Sequence, residues 1–301
     1  MSLSILIPIY NYDVKNLVND LHAQCIDLSI DFEILLVDDC SLQDFNHKNK
    51  ILQSLSNVIY ERLDINIGRS KIRNYLVSKS NYISCLILDC DLQIQANFVK
   101  NYVEVIDGGS VIVGGHVYQK SPPKDSSLLL HWKYGTEVES KTLSERLSKP
   151  YNSFMTNSFL VPKQLFKSIK FDETIGQYGH EDTIFGVDLE KAKVKIKHVD
   201  NPVIHLGLKT TKQFLKGEKE AIQNLILLSE NSKHKDILYR KSRLLHYEKS
   251  ILLNFYYSLV SLYYKNRLYK KLLGRNPSLR TLNFWKFYNL KKLRNQMKNS
   301  F

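Results

Sequence analysis

Cysteine is scarce in this sequence: four cysteines occur among 301 residues, at positions 25, 40, 85 and 90. Their spacing matches neither the paired cysteines of a zinc site nor the dense framework of a small secreted domain, so both kinds of protein are excluded. We expect Cys25 and Cys85 to be reduced and to pack as small hydrophobic side chains.

Long apolar segments are also lacking. The amino-terminal residues have no basic region and no small-residue cleavage site, from which we expect no signal peptide and a cytoplasmic protein. The uncharged run 251–264 has 14 residues, whereas a helix that spans a bilayer needs about 20. The hydrophobic content of 43% is sufficient for the buried core of an ordinary globular chain.

Acidic residues are absent after Glu248, although the whole chain has 30 of them. From Lys209 onward, 21 basic residues stand against 5 acidic ones, a difference of +16, whereas up to Leu208 the counts are 22 and 25, a difference of −3. This shift predicts a domain over 1–208 and a basic helical region over 209–301.

The basic region is rich in tyrosine, phenylalanine and tryptophan as well. Basic and aromatic residues together are typical of helices that lie in the headgroup layer of an anionic membrane. We therefore interpret residues 236–301 as a contact with a membrane surface, on the inner face of the cell membrane. A helical subdomain or a dimer interface is an alternative of equal weight.

Two predicted strands end in aspartates. The apolar run 83–88 is followed by Asp89 and Asp91, and the apolar run 32–37 is followed by Asp38 and Asp39. A strand over 3–9 and a helix precede 32–37, an order that predicts a parallel sheet. Ligands collect beyond the carboxyl ends of such strands, where two aspartates hold a divalent cation that bridges phosphate oxygens. An Asp-x-Asp triplet alone is weak support for a cation site, because turns are rich in aspartate.

The other segments predict alternating helices and strands. A helix follows Gly68 and has Arg69, Lys71 and Arg73 near its start, where a diphosphate would be attracted; a solvated basic face is an equal alternative. Strands are predicted over 58–62, 111–118, 152–162 and 194–199, with a bulge or close backbone approach at the glycines 114 and 115. Residues 119–150 give no clear pattern beyond a short helix. Glu181 and Asp182 come directly before a helical segment.

Seven motifs follow one another along residues 3–207: Ser4–Asn11, Val37–Ser41, Asn66–Asn74, Asp89–Asp91, Phe171–Glu173, Tyr178–Asp182 and His205. With these motifs in this order, the chain resembles family 2 glycosyltransferases, and its later motifs are most similar to those of chondroitin polymerase-type enzymes and galactosyltransferases. The resemblance implies an α/β GT-A fold, which is a mostly parallel sheet flanked by helices. It also implies a nucleotide-sugar-binding half over 1–91 and an acceptor-binding half over 92–208.

The resemblance further implies roles for individual residues. Asp91 and His205 would bind the metal, and their mixed oxygen and imidazole ligands favour Mn²⁺ over Mg²⁺. Asp182 would be the general base, with Glu181 orienting the acceptor or the base. The ring of Tyr10 would flank the base of the donor, Asp39 would accept a hydrogen bond from uracil, and Asp38 would support that loop. The full set of implied donor-binding residues is Pro8, Tyr10, Asn11, Asp38, Asp39, Arg73 and Asp89.

These roles describe an inverting transfer of a sugar from UDP to a hydroxyl of a glycan. One carboxylate base is sufficient, because attack opposite the leaving group inverts the anomeric carbon in one step without a covalent intermediate. The expected acceptors are a polysaccharide, a capsule chain or a lipid-linked oligosaccharide. Cys40, Tyr178 and His180 depart from the residues common at their positions in the family, which are glycine, tryptophan and glycine.

Two other functions remain open. A sugar nucleotidyltransferase has the same layout of strands and carboxylates, but it needs a glycine-rich basic loop after the first strand, where this chain has Tyr10, Asn11, Tyr12 and Asp13. A nucleic-acid-binding protein would use the basic, aromatic tail. Because the carboxylates of the first two-thirds would repel phosphates unless a cation intervenes, we expect no nucleic-acid partner.

Overall fold

The fold comes from a computed structural model that describes residues 2–175, 179–230 and 235–298, with side chains for all of these except 256–266 and 298. The chain divides into two compact units. Unit 1 comprises Met1–Gln119, Ser140–Gly176 and Glu181–Gly207, and unit 2 comprises Lys120–Glu139, Gln177–His180 and Leu208–Phe301. Residues 120–139, which the charge distribution assigns to the first domain, therefore fall in unit 2. The division of the first domain at residue 91 stays a prediction.

The described residues contain the following strands and helices. The strands are β1 (Ser2–Ile9), β2 (Asp31–Asp38), β3 (Val58–Arg62), β4 (Ser84–Leu88), β5 (Leu92–Gln93), β6 (Val111–Val113), β7 (His116–Val117), β8 (Ser158–Pro162), β9 (Ile196–His198) and β10 (Val203–His205). The α-helices are α1 (Lys15–Asp27), α2 (Gln43–Lys50), α3 (Arg69–Lys79), α4 (Phe98–Val103), α5 (Leu129–Tyr134), α6 (Leu143–Ser148), α7 (Glu181–Lys191), α8 (Thr211–Glu230), α9 (Lys235–Lys241), α10 (Arg243–Glu248), α11 (Ile251–Leu272) and α12 (Leu279–Lys298).

The main sheet of unit 1 has the strand order β3-β2-β1-β4-β8-β6-β9 in the described residues. Strands β1 to β4 pair in parallel, β6 and β9 also pair in parallel, and only β8 runs antiparallel to its neighbours β4 and β6. Parallel neighbours need a crossover between them, and α1, α2 and α3 occupy the three connections between β1 and β4. The predicted mostly parallel sheet is confirmed.

Both faces of this sheet are covered, which explains why its strands are apolar at nearly every position. Ile7 of β1 belongs to the same core cluster as Leu21 of α1. On the opposite face, Leu6 belongs to a second cluster with Leu76 of α3 and Phe185 of α7. Because side chains alternate across a strand, β1 contributes to both clusters. Helices α3 and α7 are thereby fixed on the same face.

A small second sheet has the order β5-β10-β7 in the described part of the chain. In the antiparallel pair of β5 and β10, His205 lies opposite Leu92. The N–H of Leu206 also donates to the carbonyl of Asp91, over 2.8 Å. This pairing brings residues 203–207 to the loop that follows β4.

Two predicted strands need correction. The single strand expected over 111–118 is divided into β6 and β7, which lie in different sheets. Gly114 and Gly115 separate them: a Cβ at Gly114 would lie 2.4 Å from the carbonyl oxygen of Asn201, and Gly115 has a φ of +87°. The strand expected over 152–162 is limited to β8, because a 3₁₀ turn occupies Tyr151–Ser153. Residues 119–150 contain α5 and α6.

The four cysteines are free, and Cys25 and Cys85 are fully buried. Both positions belong to the hydrophobic core clusters of unit 1. The expectation that these two residues act as small hydrophobic side chains is confirmed.

Unit 2 is helical, and ion pairs join its helices. Lys286 of α12 lies 2.6 Å from Glu218 of α8, and Arg294 of α12 lies 2.7 Å from Glu248 of α10 and 3.3 Å from Glu230 of α8. This arrangement corresponds to the helical-subdomain alternative for the basic region. Within 2–175, 179–230 and 235–298, no helix has the length and apolar character needed to cross a membrane.

Candidate active site

Asp38 holds the loop that follows β2. It is fully buried, its Oδ1 accepts the N–H of Ser41 over 2.6 Å, and its Oδ2 accepts the hydroxyl of Tyr60 over 2.7 Å. Burial, followed by the hydrogen bond to Asp38, raises the pKa of Tyr60, so this phenol stays a donor. The geometry agrees with a supporting role for Asp38 in the loop.

Asp39 connects the same loop to the start of α3. Its Oδ1 accepts the N–H of Ile67 over 2.7 Å and its Oδ2 accepts the N–H of Gly68 over 3.0 Å. Burial raises the pKa of Asp39, although these two hydrogen bonds act in the opposite direction. A carboxylate has about four lone-pair sites, so Asp39 retains capacity for a further donor.

The loop after β1 lies beside the loop after β2. The side-chain oxygen of Asn11 accepts the N–H of Leu42, and the N–H of Asn11 donates to the hydroxyl of Ser41, both over 2.8 Å. Pro8 is in β1, past the last residue that pairs with β4, so its missing N–H does not interrupt that ladder. The side chain of Tyr10 is 55% exposed at this edge of the sheet. Tyr10 is thus accessible to a ligand, whereas Asn11 braces the two loops.

Two side chains fix Asp89. The Nη2 of Arg73 donates to Oδ1 over 2.6 Å, and the Nδ2 of Asn157 donates to Oδ2 over 3.3 Å. The N–H of Asp89 also donates to the carbonyl of Asn157, over 3.0 Å. Arg73 is buried, and its Nη1 donates to the carbonyl of Arg69 over 3.3 Å. In this structure Arg73 orients Asp89, and its direct contact with a donor stays a prediction.

Asp91 lies against His205 and Gly207. The Nε2 of His205 is 3.3 Å from Oδ2 of Asp91. Burial opposes ionisation of Asp91, but the hydrogen bond and charge of His205, with a contribution from Arg69, outweigh it and lower the pKa of Asp91. A Cβ at Gly207 would lie 1.9 Å from Oδ2 of Asp91, so this position accepts only glycine without movement of the carboxylate.

The pair formed by Asp91 and His205 fits a divalent metal. Adjacent ligands of an octahedral ion with bonds of about 2.1 Å lie about 3 Å apart, close to the observed separation of 3.3 Å. Over the described ranges, no group of three His, Cys, Asp or Glu side chains could hold a metal ion. If Asp91 and His205 bind a metal, phosphate oxygens and water would complete its shell, as is usual for Mg²⁺ at phosphate sites.

The start of α7 is anchored to α3. Asn74 donates to the carbonyl of Phe171 over 2.9 Å and accepts the N–H of Phe171 over 3.0 Å. The ring of Phe171 stacks on the ring of Phe185 in α7, with centroids 4.2 Å apart. Asn74 also donates to Glu173 over 2.9 Å. These contacts give a structural reason for two of the predicted motifs, Asn66–Asn74 and Phe171–Glu173.

Glu181 and Asp182 are the first two residues of α7. Glu181 is buried, and its Oε1 lies 3.5 Å from the Nη1 of Arg69. Oδ1 of Asp182 accepts the N–H of Thr183 over 2.6 Å. Burial, and then the charge of Glu181, raise the pKa of Asp182 to about 6. An aspartate with this pKa is ionised at neutral pH and is a stronger base than an exposed one.

The structure brings most of the predicted site residues together around α3. Asp39 contacts its amino terminus, Asp89 contacts Arg73, and Glu181 contacts Arg69. Asp91 follows Asp89 by two residues and pairs with His205. Asp182 follows Glu181 directly. Tyr178, which belongs to one of the seven motifs, lies outside the described residues.

Sequence reasoning missed Asn157, Gly207 and the contact between Arg69 and Glu181. Asn157 comes directly before the apolar residues of β8, and Gly207 follows His205 by two positions, but neither placement is distinctive in the sequence. Both residues meet aspartates of the β4–β5 region only because β8 pairs with β4 and β10 pairs with β5.

The chain is similar to known proteins. The model of a family described as glycosyl transferase family 2 matches residues 4–165, which is more than half of the chain. The chondroitin synthase of Escherichia coli is 26% identical over 235 residues, which are 67% of this chain and 34% of that protein. This chain thus spans about a third of the length of that relative.

Solved structures share the fold. S. aureus TarS (residues 1–349) has a TM-score of 0.54 and 18% identity, with 100% of this chain and 92% of that chain covered. A mannosyltransferase of Pyrobaculum calidifontis, in complex with GDP-Man and Mn²⁺, has a TM-score of 0.59 and 10% identity, with 96% and 86% covered. These neighbours confirm the predicted GT-A fold. Because the family model matches most of the main sheet of unit 1, this chain belongs to glycosyl transferase family 2.

Proposed function

We propose that this protein is an inverting, metal-dependent glycosyltransferase that moves a sugar from a UDP-sugar to a hydroxyl of a glycan acceptor. The observation that carries the proposal is the pair of Asp91 and His205, whose Oδ2 and Nε2 atoms are 3.3 Å apart. Family membership favours this function over the nucleotidyltransferase and nucleic-acid-binding alternatives.

The donor is proposed to be a UDP-sugar. S. aureus TarS has been crystallised in complex with UDP-GlcNAc, and that structure has a TM-score of 0.53 to this chain at 18% identity. The P. calidifontis enzyme is in complex with GDP-Man, so a nucleoside diphosphate is common to both neighbours. The choice of uracil rests on Asp39, whose carboxylate retains acceptor capacity, and on the exposed ring of Tyr10 beside it.

The metal ligands would be Asp91 and His205. A bound Mn²⁺ or Mg²⁺ would act as a Lewis acid toward the departing diphosphate. The mixed ligands favour Mn²⁺, and the P. calidifontis neighbour is in complex with that ion. Asp89, whose carboxylate binds Arg73 and Asn157, would contact the ribose or the water shell of the metal.

Asp182 would act as the general base. As the acceptor oxygen bonds to the anomeric carbon, the bond from that carbon to the phosphate oxygen breaks and its electron pair leaves with the diphosphate. The acceptor proton passes to Asp182, with Glu181 orienting the base or the hydroxyl. General-base catalysis contributes about 10²- to 10⁴-fold, and attack opposite the leaving group inverts the anomeric centre.

The acceptor is proposed to be a growing polysaccharide, a capsule chain or a lipid-linked oligosaccharide, in line with the matched chondroitin synthase. Contact of residues 236–301 with an anionic membrane also stays a proposal, as does the cytoplasmic location. In its support, Ile251, Leu252 and Phe255 at the start of α11 are exposed in a region with no acidic residue after Glu248.

The test is a panel of nucleotide sugars, with thermal stabilisation and Mn²⁺-dependent hydrolysis as the two measurements. We expect one UDP-sugar to stabilise the protein and to be hydrolysed slowly, with water in place of the acceptor. Asp182→Asn should reduce hydrolysis about 10²- to 10⁴-fold and leave donor binding nearly unchanged. Asp188→Asn, on the same helix, is the matched control. No stabilisation by any nucleotide sugar would contradict the proposal, and full turnover by Asp182→Asn would remove that residue from its role.

A further inference from the structure

Arg69 is the first residue of α3, and its position distinguishes it from Arg73 one turn later. The side chain of Arg73 is 3% exposed and is bound to Asp89, whereas the side chain of Arg69 is 52% exposed. A ligand that arrives at this end of α3 can therefore reach the guanidinium of Arg69 far more readily than that of Arg73. The sequence placed Arg69, Lys71 and Arg73 near this helix start and made Arg73 the candidate donor contact, whereas the structure shows Arg69 to be the more exposed of the two arginines.

Arg69 also lies between the two halves of the reaction. On the α7 side, its Nη1 is 3.5 Å from Oε1 of Glu181, the residue next to the proposed base. On the other side, the two residues directly before Arg69, Ile67 and Gly68, donate their N–H groups to Asp39. Arg69 thus lies between a residue proposed to bind the nucleotide and the residue next to the proposed base.

The proposed metal site does not neutralise the whole negative charge of a diphosphate, so a second positive charge would stabilise it. A divalent ion and Asp91 together carry one net positive charge, which is less than the negative charge on a departing diphosphate. Arginine presents a planar fork of donors that binds two phosphate oxygens at once, and charge-assisted bonds of this kind are about twice as strong as neutral ones. The start of a helix adds its own positive potential at the same point.

We propose that Arg69 binds the diphosphate of the donor. This inference rests on the proposed function. The side chain of Arg69 is 52% exposed although its Nη1 lies 3.5 Å from the buried Glu181. A guanidinium has five N–H donors, so Arg69 can bind phosphate oxygens on its exposed side while it keeps its contact with Glu181.

A purely structural role makes a different prediction. If Arg69 only held α7 against α3, its removal would disturb every ligand of the site to a similar extent. A diphosphate contact instead affects ligands that carry phosphates and spares those that lack them. Binding of UDP and binding of uridine therefore separate the two roles, without any need for the sugar or the acceptor.

The experiment measures the dissociation constants of UDP and of uridine by calorimetry in the presence of Mn²⁺, for the wild type, Arg69→Gln, Arg69→Lys and Lys79→Gln. A hydrogen bond to a charged group corresponds to a change of about 10- to 100-fold. Because Arg69 is half-exposed, we expect about 10-fold weaker UDP binding in Arg69→Gln and an unchanged affinity for uridine. Arg69→Lys should recover part of the loss.

Lys79→Gln is the matched control, because it removes one positive charge from the last residue of the same helix. At about 1.5 Å of rise per residue, Lys79 lies about 15 Å further along the helix axis than Arg69. It should leave the affinity for UDP at the wild-type value. Equal weakening of UDP and uridine by Arg69→Gln, or no weakening of UDP, would overturn the inference while the proposed function stands. A wild-type protein that binds no UDP would instead contradict the proposed function, and the inference with it.

Discussion

Gly207→Ala is the change that tests the metal site most directly. An added Cβ would lie 1.9 Å from Oδ2 and 2.8 Å from Cγ of Asp91, whereas ordinary contacts begin at 3.4 Å. The overlap with Oδ2 is therefore about 1.5 Å, which no small adjustment removes. The carboxylate must rotate or shift, and either movement separates it from the Nε2 of His205, now 3.3 Å away.

Two quantities should change together. Overpacking of this kind typically destabilises a fold by about 1–3 kcal/mol, and we expect the lower end of this range because Gly207 is only half-buried. The affinity for Mn²⁺ should fall by at least about 10-fold, since misplacement of ligands or their supports typically weakens metal binding by about 10- to 100-fold. Binding of UDP in the presence of Mn²⁺ should weaken in parallel, whereas binding of uridine should not.

The assay combines calorimetric titration with Mn²⁺ and chemical denaturation. Gly109→Ala is the matched control, because a Cβ at Gly109 would meet no atom within 4 Å. A double-mutant cycle with Asp91→Ala makes the test sharper: once the carboxylate is gone, Gly207→Ala should no longer lower the free energy of unfolding. Wild-type Mn²⁺ affinity in Gly207→Ala, or an equal loss of stability in the Asp91→Ala background, would refute the reasoning.

Three further predictions follow from the same geometry. Burial and the charge of Glu181 raise the pKa of Asp182 to about 6. Because the proposed base must be ionised, kcat/KM should fall about tenfold per pH unit below that pH. Glu181→Gln should move this fall in activity to lower pH, and an unchanged pH dependence would count against the assignment. Asn157→Ala removes one of the hydrogen bonds that fix Asp89. The dissociation constant of the donor should therefore rise about 3- to 10-fold, whereas the affinity for Mn²⁺ should not change. An equal loss of Mn²⁺ affinity would contradict this role of Asn157. The full chain should co-sediment with anionic vesicles, and added salt should reduce this binding. Changing the exposed Leu252 and Phe255 to serine should weaken the binding to these vesicles. Equal binding to neutral vesicles would reject a membrane contact through this region.

The parts of the fold that could be predicted are those that depend on local pattern. The apolar runs that became β1, β2 and β4 are buried on both faces, so each run is continuous and its ends are clear. The aspartates at those ends met at one edge because parallel strands place their carboxyl ends together. The prediction of one strand over 111–118 was wrong because two glycines turn the chain from one sheet into another. The hydrophobic pattern alone does not indicate such a turn.

The contacts that completed the site depend on pairing between distant segments. Asn157 meets Asp89 only because Ser158 lies opposite Leu88 in the antiparallel pair of β8 and β4. Gly207 meets Asp91 for a similar reason, through the pairing of β10 with β5. A single sequence does not show which strands pair or in which register, because every apolar strand has the same hydrophobic pattern. Residue types alone could therefore suggest the aspartates but not the groups that orient them.

Helix α3 links the groups proposed for the donor to those proposed for the acceptor. The N–H groups of Ile67 and Gly68, directly before the helix, donate to Asp39. Within the helix, Arg73 binds Asp89, Asn74 binds the segment that stacks on α7, and Arg69 contacts Glu181. Because one helix contacts the residues proposed for the donor and for the base, we expect donor binding to alter the position of Glu181.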